Sequence, residues 1–319
     1  MASSGRASAY KSMQLDLWQI HWSSVFVVAI ALALGSMPSW GWLPGPHRTQ
    51  PPARGTVPPR AFSIPFQLLK GYEIVVTGTL GPLGQMRLAV DTGTHPTVIH
   101  RRVAQALGLR GKMVALKLFN QTLPVEEAVL PELTLGPIHK RNLPVVISDL
   151  DTVEREINGR VDAIIGFAVL GERSFTIDYD KQEIVFGPVD SKGGVPFTSR
   201  PPFVTVPARF GNQSVSLLVD TGTSGLVLFT SRMEGKLDAM STALNAQARN
   251  LGGKFDFQTV ILPKARLGNN DLGPAAAFIV QDRPDDGRVF DGLMGIPFLH
   301  PRRISFDFEN EMFSWSGSR

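Results

Sequence analysis

Two apolar stretches of this chain each enclose an aspartate, and they are near copies of one another: LAVDTGTHPTVI at residues 88–99 and LLVDTGTSGLVLF at residues 217–229. An isolated carboxylate placed in a sheet interior costs several kcal/mol unless it is paired or hydrogen-bonded. A single Asp-Thr-Gly reads as a turn between strands. Here, however, the copies stand in register with the rest of the chain. Asp91 lies 129 positions before Asp220, and the same step carries Asp162 in VDAIIGF to Asp291 in FDGLMGI, Gly166 to Gly295, and Asp178 to Asp307. A period of this length is far beyond the roughly 20 to 50 residues of solenoid repeats. It requires two homologous lobes, residues 61–188 and 195–319, joined by a turn-rich linker at 189–194.

Each lobe reads as mainly β. Residues 73–78 (EIVVTG) and 85–90 (QMRLAV) form a predicted hairpin that leads into Asp91, and residues 204–209 and 215–219 repeat the design before Asp220. Helix is sparse. Residues 101–107 place Val103 and Leu107 on one face with Gly108 as a C-terminal cap, and a second short helix is expected within 233–249.

The first 60 residues stand apart from this repeat. Arg6 and Lys11 precede the apolar run VFVVAIALAL at 25–34, and small residues follow, so residues 1–36 read as a signal peptide. Extension of the apolar run to residue 43 gives the alternative, a membrane anchor. Residues 37–60 are Pro-rich and read as an extended linker. Either reading places the working lobes outside the cytoplasm as exported protein. The chain has no Cys, which excludes disulfides, thiolate chemistry and Cys-bound metals. Its six His lack metal-site spacing, so no metal is expected. With a net charge of +4 and no basic run longer than a pair, it offers no nucleic-acid surface.

The chemistry follows from the pair. Gly93 and Gly222 allow a tight turn and close approach of a neighbouring chain. Backbone amides and the Thr94 and Thr223 hydroxyls are available to bond the carboxylates. If the two turns meet across a pseudo-twofold, Asp91 and Asp220 lie side by side. At about 3 Å two carboxylates cannot both ionise, so they share a proton, one serving as base and the other as acid.

The chain resembles the aspartic peptidases over roughly residues 64–315, through Asp91-Thr92-Gly93-Thr94, Asp220-Thr221-Gly222-Thr223 and the elements Ile164-Ile165-Gly166 and Leu293-Met294-Gly295. The short spacing and the absence of a flap Tyr make it more similar to two fused retropepsin-like units than to pepsin. The resemblance implies a bilobal acid-protease fold of two β-barrel-like lobes related by a pseudo-twofold. It implies Asp91 and Asp220 as the catalytic pair, Thr92 and Thr221 bonded across the lobe interface, and Thr94 and Thr223 bracing the outer carboxylate oxygens. It also implies a peptide substrate bound in extended form, no cofactor, and a monomer, because both lobes are in one chain. The alternative is an inactive, peptide-binding or scaffold protein of the same fold.

Other expectations are local. Flap candidates are residues 112–123, with Phe119 near the tip, and 250–257 around Gly252-Gly253. Asp162, Asp178, Asp291 and Asp307 are expected in turns and loops, with structural hydrogen bonding to the lobe ends as the alternative, and His95 in a solvent-exposed loop.

Overall fold

Pairing begins locally. Gly81 takes a positive φ of 56° and turns β2 (Glu73–Leu80) back onto β3 (Leu83–Val90) after β1 (Phe62–Leu69). The computed structural model describes residues 61–200, 203–233, 241–283 and 289–317. The expected signal segment or anchor and the Pro-rich linker lie outside them. Among the described residues no helix is long and apolar enough to cross a membrane.

The first lobe continues through β4 (Thr97–His100), α1 (Arg101–Ala106), β5 (Lys112–Lys117), β6 (Thr122–Leu135) and β7 (Ile138–Ser148). It ends with α2 (Asp151–Ile157), β8 (Ala163–Ile165), α3 (Phe167–Leu170), β9 (Phe175–Asp178) and β10 (Glu183–Phe186). The second comprises β11 (Val195–Pro196), β12 (Thr198–Arg200), β13 (Phe203–Phe210), β14 (Gln213–Asp220), β15 (Leu226–Phe229), α4 (Thr230–Met233) and β16 (Ser241–Asn250). Then come β17 (Gly253–Leu267), β18 (Asn270–Val280), β19 (Gly292–Gly295), a 3-10 turn at Ile296–Leu299, β20 (Arg303–Asp307) and β21 (Met312–Ser316).

Each lobe closes on itself. The order β2-β3-β8-β4-β7-β6 returns to β2, and β13-β14-β19-β15-β18-β17 returns to β13, giving two six-stranded barrels of the same topology. In both, a late strand is inserted between two early ones. β8 runs parallel to β3 and antiparallel to β4, and β19 does the same between β14 and β15. The segment linking β3 to β4, which holds Asp91, is therefore pinned from behind by β8. A Cβ at Gly166 would collide with the Thr94 carbonyl oxygen, and one at Gly295 with that of Thr223. The hydrophobic-hydrophobic-Gly elements thus pack against the backs of both Asp loops.

A shared sheet joins the lobes in the order β11-β21-β20-β9-β10-β1. At its centre Thr176 pairs with Ser305, their hydroxyls 2.7 Å apart and their positions separated by the 129-residue repeat step. The pseudo-twofold passes between them. Beneath lies an aromatic cluster in which Phe175 and Phe306 rings are 5.0 Å apart. The apolar core runs without a break from this sheet into both barrels.

Two expectations need correction. A helix within residues 233–249 is not what forms: β16 occupies 241–250 and pairs with β17, while 234–240 lie outside the described residues. The segment STALNAQARN has no strong strand propensity, but the turn before Gly253 brings it onto a 15-residue partner strand, and tertiary pairing overrides local preference. Nor are the four secondary Asp residues merely turn residues. Asp162 is fully buried, accepts the Arg87 amide at 2.9 Å and pairs with Arg102 and Arg160. Asp291 accepts the Ser216 amide at 2.8 Å in the same role. Asp178 and Asp307, both buried, cap the turns of the hairpins that follow them.

The insertion of β8 and β19 behind the Asp loops gives a direct test. Gly166→Ala or Gly295→Ala forces a methyl group into backbone atoms that have nowhere to move, and overpacking of this kind costs about 1–3 kcal/mol or more. The expected outcome is a lower denaturation midpoint for each variant; an unchanged midpoint would contradict the packing described.

Candidate active site

Asp91 follows the end of β3, where its amide donates to Ile165 on β8 at 2.9 Å. The chain then turns sharply, and the Gly93 amide and Thr94 hydroxyl donate to the two carboxyl oxygens of Asp91 at 2.8 and 2.6 Å. Asp220, at the end of β14, is held identically by Gly222 at 2.8 Å and Thr223 at 2.7 Å. The loops interlock through their middle residues. The Thr92 hydroxyl donates to Val219 O at 2.7 Å and accepts the Thr221 amide at 3.0 Å. Reciprocally, the Thr221 hydroxyl donates to Val90 O at 2.8 Å and accepts the Thr92 amide at 3.0 Å. All eight predicted site residues, Asp91 to Thr94 and Asp220 to Thr223, are therefore brought into one buried constellation.

The glycines show how tightly it is built. A Cβ at Gly93 would lie 2.6 Å from Asp220 Oδ2, and one at Gly222 would lie 2.5 Å from Asp91 Cγ. Only glycine lets the loops approach this closely. The loops thus bring each carboxyl against the opposite turn, and both residues are fully buried. Burial, then the Asp220 charge, pushes the Asp91 carboxyl well above the usual carboxylate range. Burial raises Asp220 as well, opposed by the bonds from Thr223, Asp91 and the Gly222 amide. The pair therefore retains one proton where ordinary aspartates have lost theirs.

The two flap candidates form hairpin tips. β5 and β6 are joined by a turn closed by the Leu118 amide on Gln121 O at 2.7 Å, and β16 and β17 meet at residues 251–252. The tips touch: a Cβ at Gly252 would strike the Gln121 side-chain amide and lie 3.1 Å from Leu118 Cδ1. Phe119 is wholly buried in the second lobe, 5.8 Å from the Phe229 ring and 5.1 Å from Phe255, and its carbonyl accepts the Arg283 amide at 2.9 Å. The carboxyl pair itself is wholly buried.

His95 is not the exposed loop residue expected from Ser224 standing at its repeat position. The lobe interface half-buries it, edge-on to Phe203 of the second lobe at 6.3 Å, and burial lowers its pKa to about 4, so it stays neutral. A possible cation cluster lies elsewhere, at His100, Asp149 and Asp151. Both ring nitrogens of His100 are already engaged, one accepting the Arg102 amide at the start of α1 and the other 3.1 Å from Asp151.

Sequence reasoning missed Glu73. It opens β2, only 1% exposed, and its Oε2 has no hydrogen-bond partner. Burial, then the Asp220 charge, pushes its pKa up to about 8. Its position opposite the Asp91 turn in the hairpin register was the available signal.

Two outcomes follow. Thr92→Val removes two cross-lobe bonds and leaves a buried N–H and a buried C=O unpartnered, at about 1–3 kcal/mol each. Denaturant titration is expected to show a loss of roughly 2–5 kcal/mol; a loss within error would contradict the interlock. For Glu73 the folded-state pKa is raised, so its contribution to stability is complete below the ordinary carboxyl value and falls as pH rises toward about 8. The fall is up to roughly 1.4 kcal/mol per pH unit. Glu73→Gln is expected to flatten the decline in stability between pH 5 and pH 8; equal slopes for both proteins would count against a protonated, buried Glu73.

With this geometry in place, the comparisons are specific. A family profile described as aspartyl protease matches residues 76–169 and again residues 206–298, together more than half of the chain. A search of curated proteins finds no match. The two matched segments coincide with the two barrels, and the chain belongs to the aspartyl protease family, as two fused retropepsin-like units in one polypeptide.

Proposed function

We propose that the protein is an aspartic endopeptidase that hydrolyses peptide bonds between Asp91 and Asp220. The observation that carries this reading is the pair of buried carboxyls brought together by symmetric, interlocked loops. A scaffold gains nothing from such a pair, because desolvating two adjacent acids is costly. A peptidase does, since water held between the carboxyls loses a proton to the ionised one as its oxygen attacks the scissile carbonyl carbon. The protonated partner gives its proton to the carbonyl oxygen. Collapse of the resulting diol, with proton transfer to the amide nitrogen, breaks the C–N bond and restores the shared proton.

The substrate is an extended peptide lying across the pair, bonded as a strand would be to the flanking hairpins. Entry requires the tips at residues 118–121 and 251–252 to part and Phe119 to leave its aromatic pocket. Both members of the dyad come from one chain, so a single copy holds a complete site.

Activity belongs to the singly protonated pair. Burial and mutual charge raise the upper of its two apparent pKa values, so cleavage is expected to persist above the ordinary Asp range and to fall on both sides of an optimum. Asp91→Asn and Asp220→Asn are each expected to lower kcat by about a thousandfold or more, nearly as much as the double variant, because the two act as one unit. Cleavage of an unstructured protein substrate by the folded single variants checks this. Undiminished cleavage by either would refute the mechanism, and tight peptide binding without cleavage by the unaltered protein would favour the inactive binding-protein alternative.

A further inference from the structure

The two lobes are near copies, but the residues beside the carboxyl pair are not. The ladder of β2 with β3 sets Ile74 opposite Val90, so Glu73 stands across from Asp91. The ladder of β13 with β14 sets Thr205 opposite Leu218, so Phe203 stands across from Asp220. One register position therefore holds an acid in the first lobe and an aromatic ring in the second. Phe203 reaches over the lobe boundary to His95 on the Asp91 loop. Glu73 in turn feels the Asp220 charge from the second lobe.

Phe203 shows what a filler at this position looks like: it is buried and packs with Phe290 and Leu293. Glu73 is equally buried, yet its Oε2 meets no donor. Such an oxygen carries a desolvation cost that an apolar side chain would not. The ionisable groups that act on it or respond to it are Asp91, Asp220 and the half-buried Tyr72, whose phenol its charge pushes further up. None of them is a cation. A bare acceptor beside a pair that already carries one negative charge lacks a positively charged donor.

We propose that Glu73 is a specificity residue of the cleft, receiving the ammonium or guanidinium of a Lys or Arg next to the scissile bond, on one side only. The Phe203 side takes an apolar residue. This rests on the cleft being a peptide site, and it names the peptide's chemistry. A basic side chain meets both the Glu73 carboxyl and the negative field of the dyad, while an acidic one is repelled. In the empty site Glu73 holds its proton up to about pH 8. An arriving cation ionises it, and that proton leaves to solvent, so preference for the basic residue strengthens as pH rises from 5 toward 8.

The test uses binding, which does not depend on turnover. Peptides of one apolar sequence, with a hydroxyethylene unit in place of the scissile amide, carry Lys, Arg, norleucine or Glu at each of the two residues on either side. Calorimetry measures their Kd for the full chain and for Glu73→Gln at pH 5, 6.5 and 8. At one position, and on one side of the bond, Lys or Arg is expected to bind about ten- to a hundredfold tighter than norleucine. About one proton should be released per peptide bound near neutral pH. In Glu73→Gln this ratio is expected to collapse toward unity. Glu73→Asp, which keeps the charge on a shorter arm, should retain part of it, which separates loss of the carboxyl from a general fault in the variant. No basic preference at any position, a preference on both sides, or a ratio unchanged in Glu73→Gln would each overturn the proposal. Basic-selective binding without cleavage would sink the peptidase mechanism and leave this assignment standing, whereas cleavage without basic selectivity would do the reverse.

Discussion

Two threonine hydroxyls, each donating to one strand end and accepting an amide from the opposite loop, form the junction on which the rest of this structure depends. Without that interlock the two carboxyls would have no reason to stay together. Each is an acid in an apolar setting, and each would be better solvated if the lobes parted. The junction offsets that tendency with four bonds in a buried setting, where the loss of any one leaves an unpartnered polar group. The shared sheet beneath, with Thr176 and Ser305 on its axis, fixes the lobes at the distance the junction needs.

Much of this could be read from the sequence because it is written twice. The Asp-Thr-Gly-Thr copies, the hydrophobic-hydrophobic-Gly copies and the closing Asp positions share one offset, and a repeat in register implies a twofold relation between lobes. Strand hairpins before each Asp were also legible, since apolar runs bracketed by glycine-rich turns leave few alternatives. What escaped depended on contacts between distant segments. Nothing in PFQLLKGYEIVV marks Glu73 as buried; its setting comes from strand register and from the second lobe across the boundary. His95 looked exposed because Ser224 stands at its repeat position, but Phe203, far along the chain, packs edge-on against it. The polar, Ala-containing segment of β16 reads locally as helix, and only its pairing with β17 makes it a strand.

The departures from symmetry are as informative as the symmetry. Fusion of two units in one chain frees each copy to diverge, and divergence is visible where substrate would lie. His95 has Ser224 as its counterpart one repeat on, and Glu73 has Phe203 as its counterpart in the ladder. The Asp, Thr and Gly of the junction are by contrast the same in both halves. Catalytic geometry demands equivalence of the two loops, and selection of a directional peptide benefits from inequivalent walls. The hairpin tips follow the same logic: the first lobe's tip carries Phe119, which plugs into the second lobe's aromatic cluster, and the second lobe's tip offers the small Gly252 against Gln121 and Leu118.

The central claim is that Asp91 and Asp220 hold one proton between them. Aspartate-selective 13C labelling of the side-chain carboxyls, followed by NMR from pH 3 to pH 8, reads this directly and leaves Glu73 silent. The expected result is a pair of signals that titrate in two steps, the upper one well above the range of the other aspartates, with assignment by their loss in Asp91→Asn and Asp220→Asn. Two independent transitions at ordinary Asp values, or full ionisation of both carboxyls by pH 5, would contradict the account.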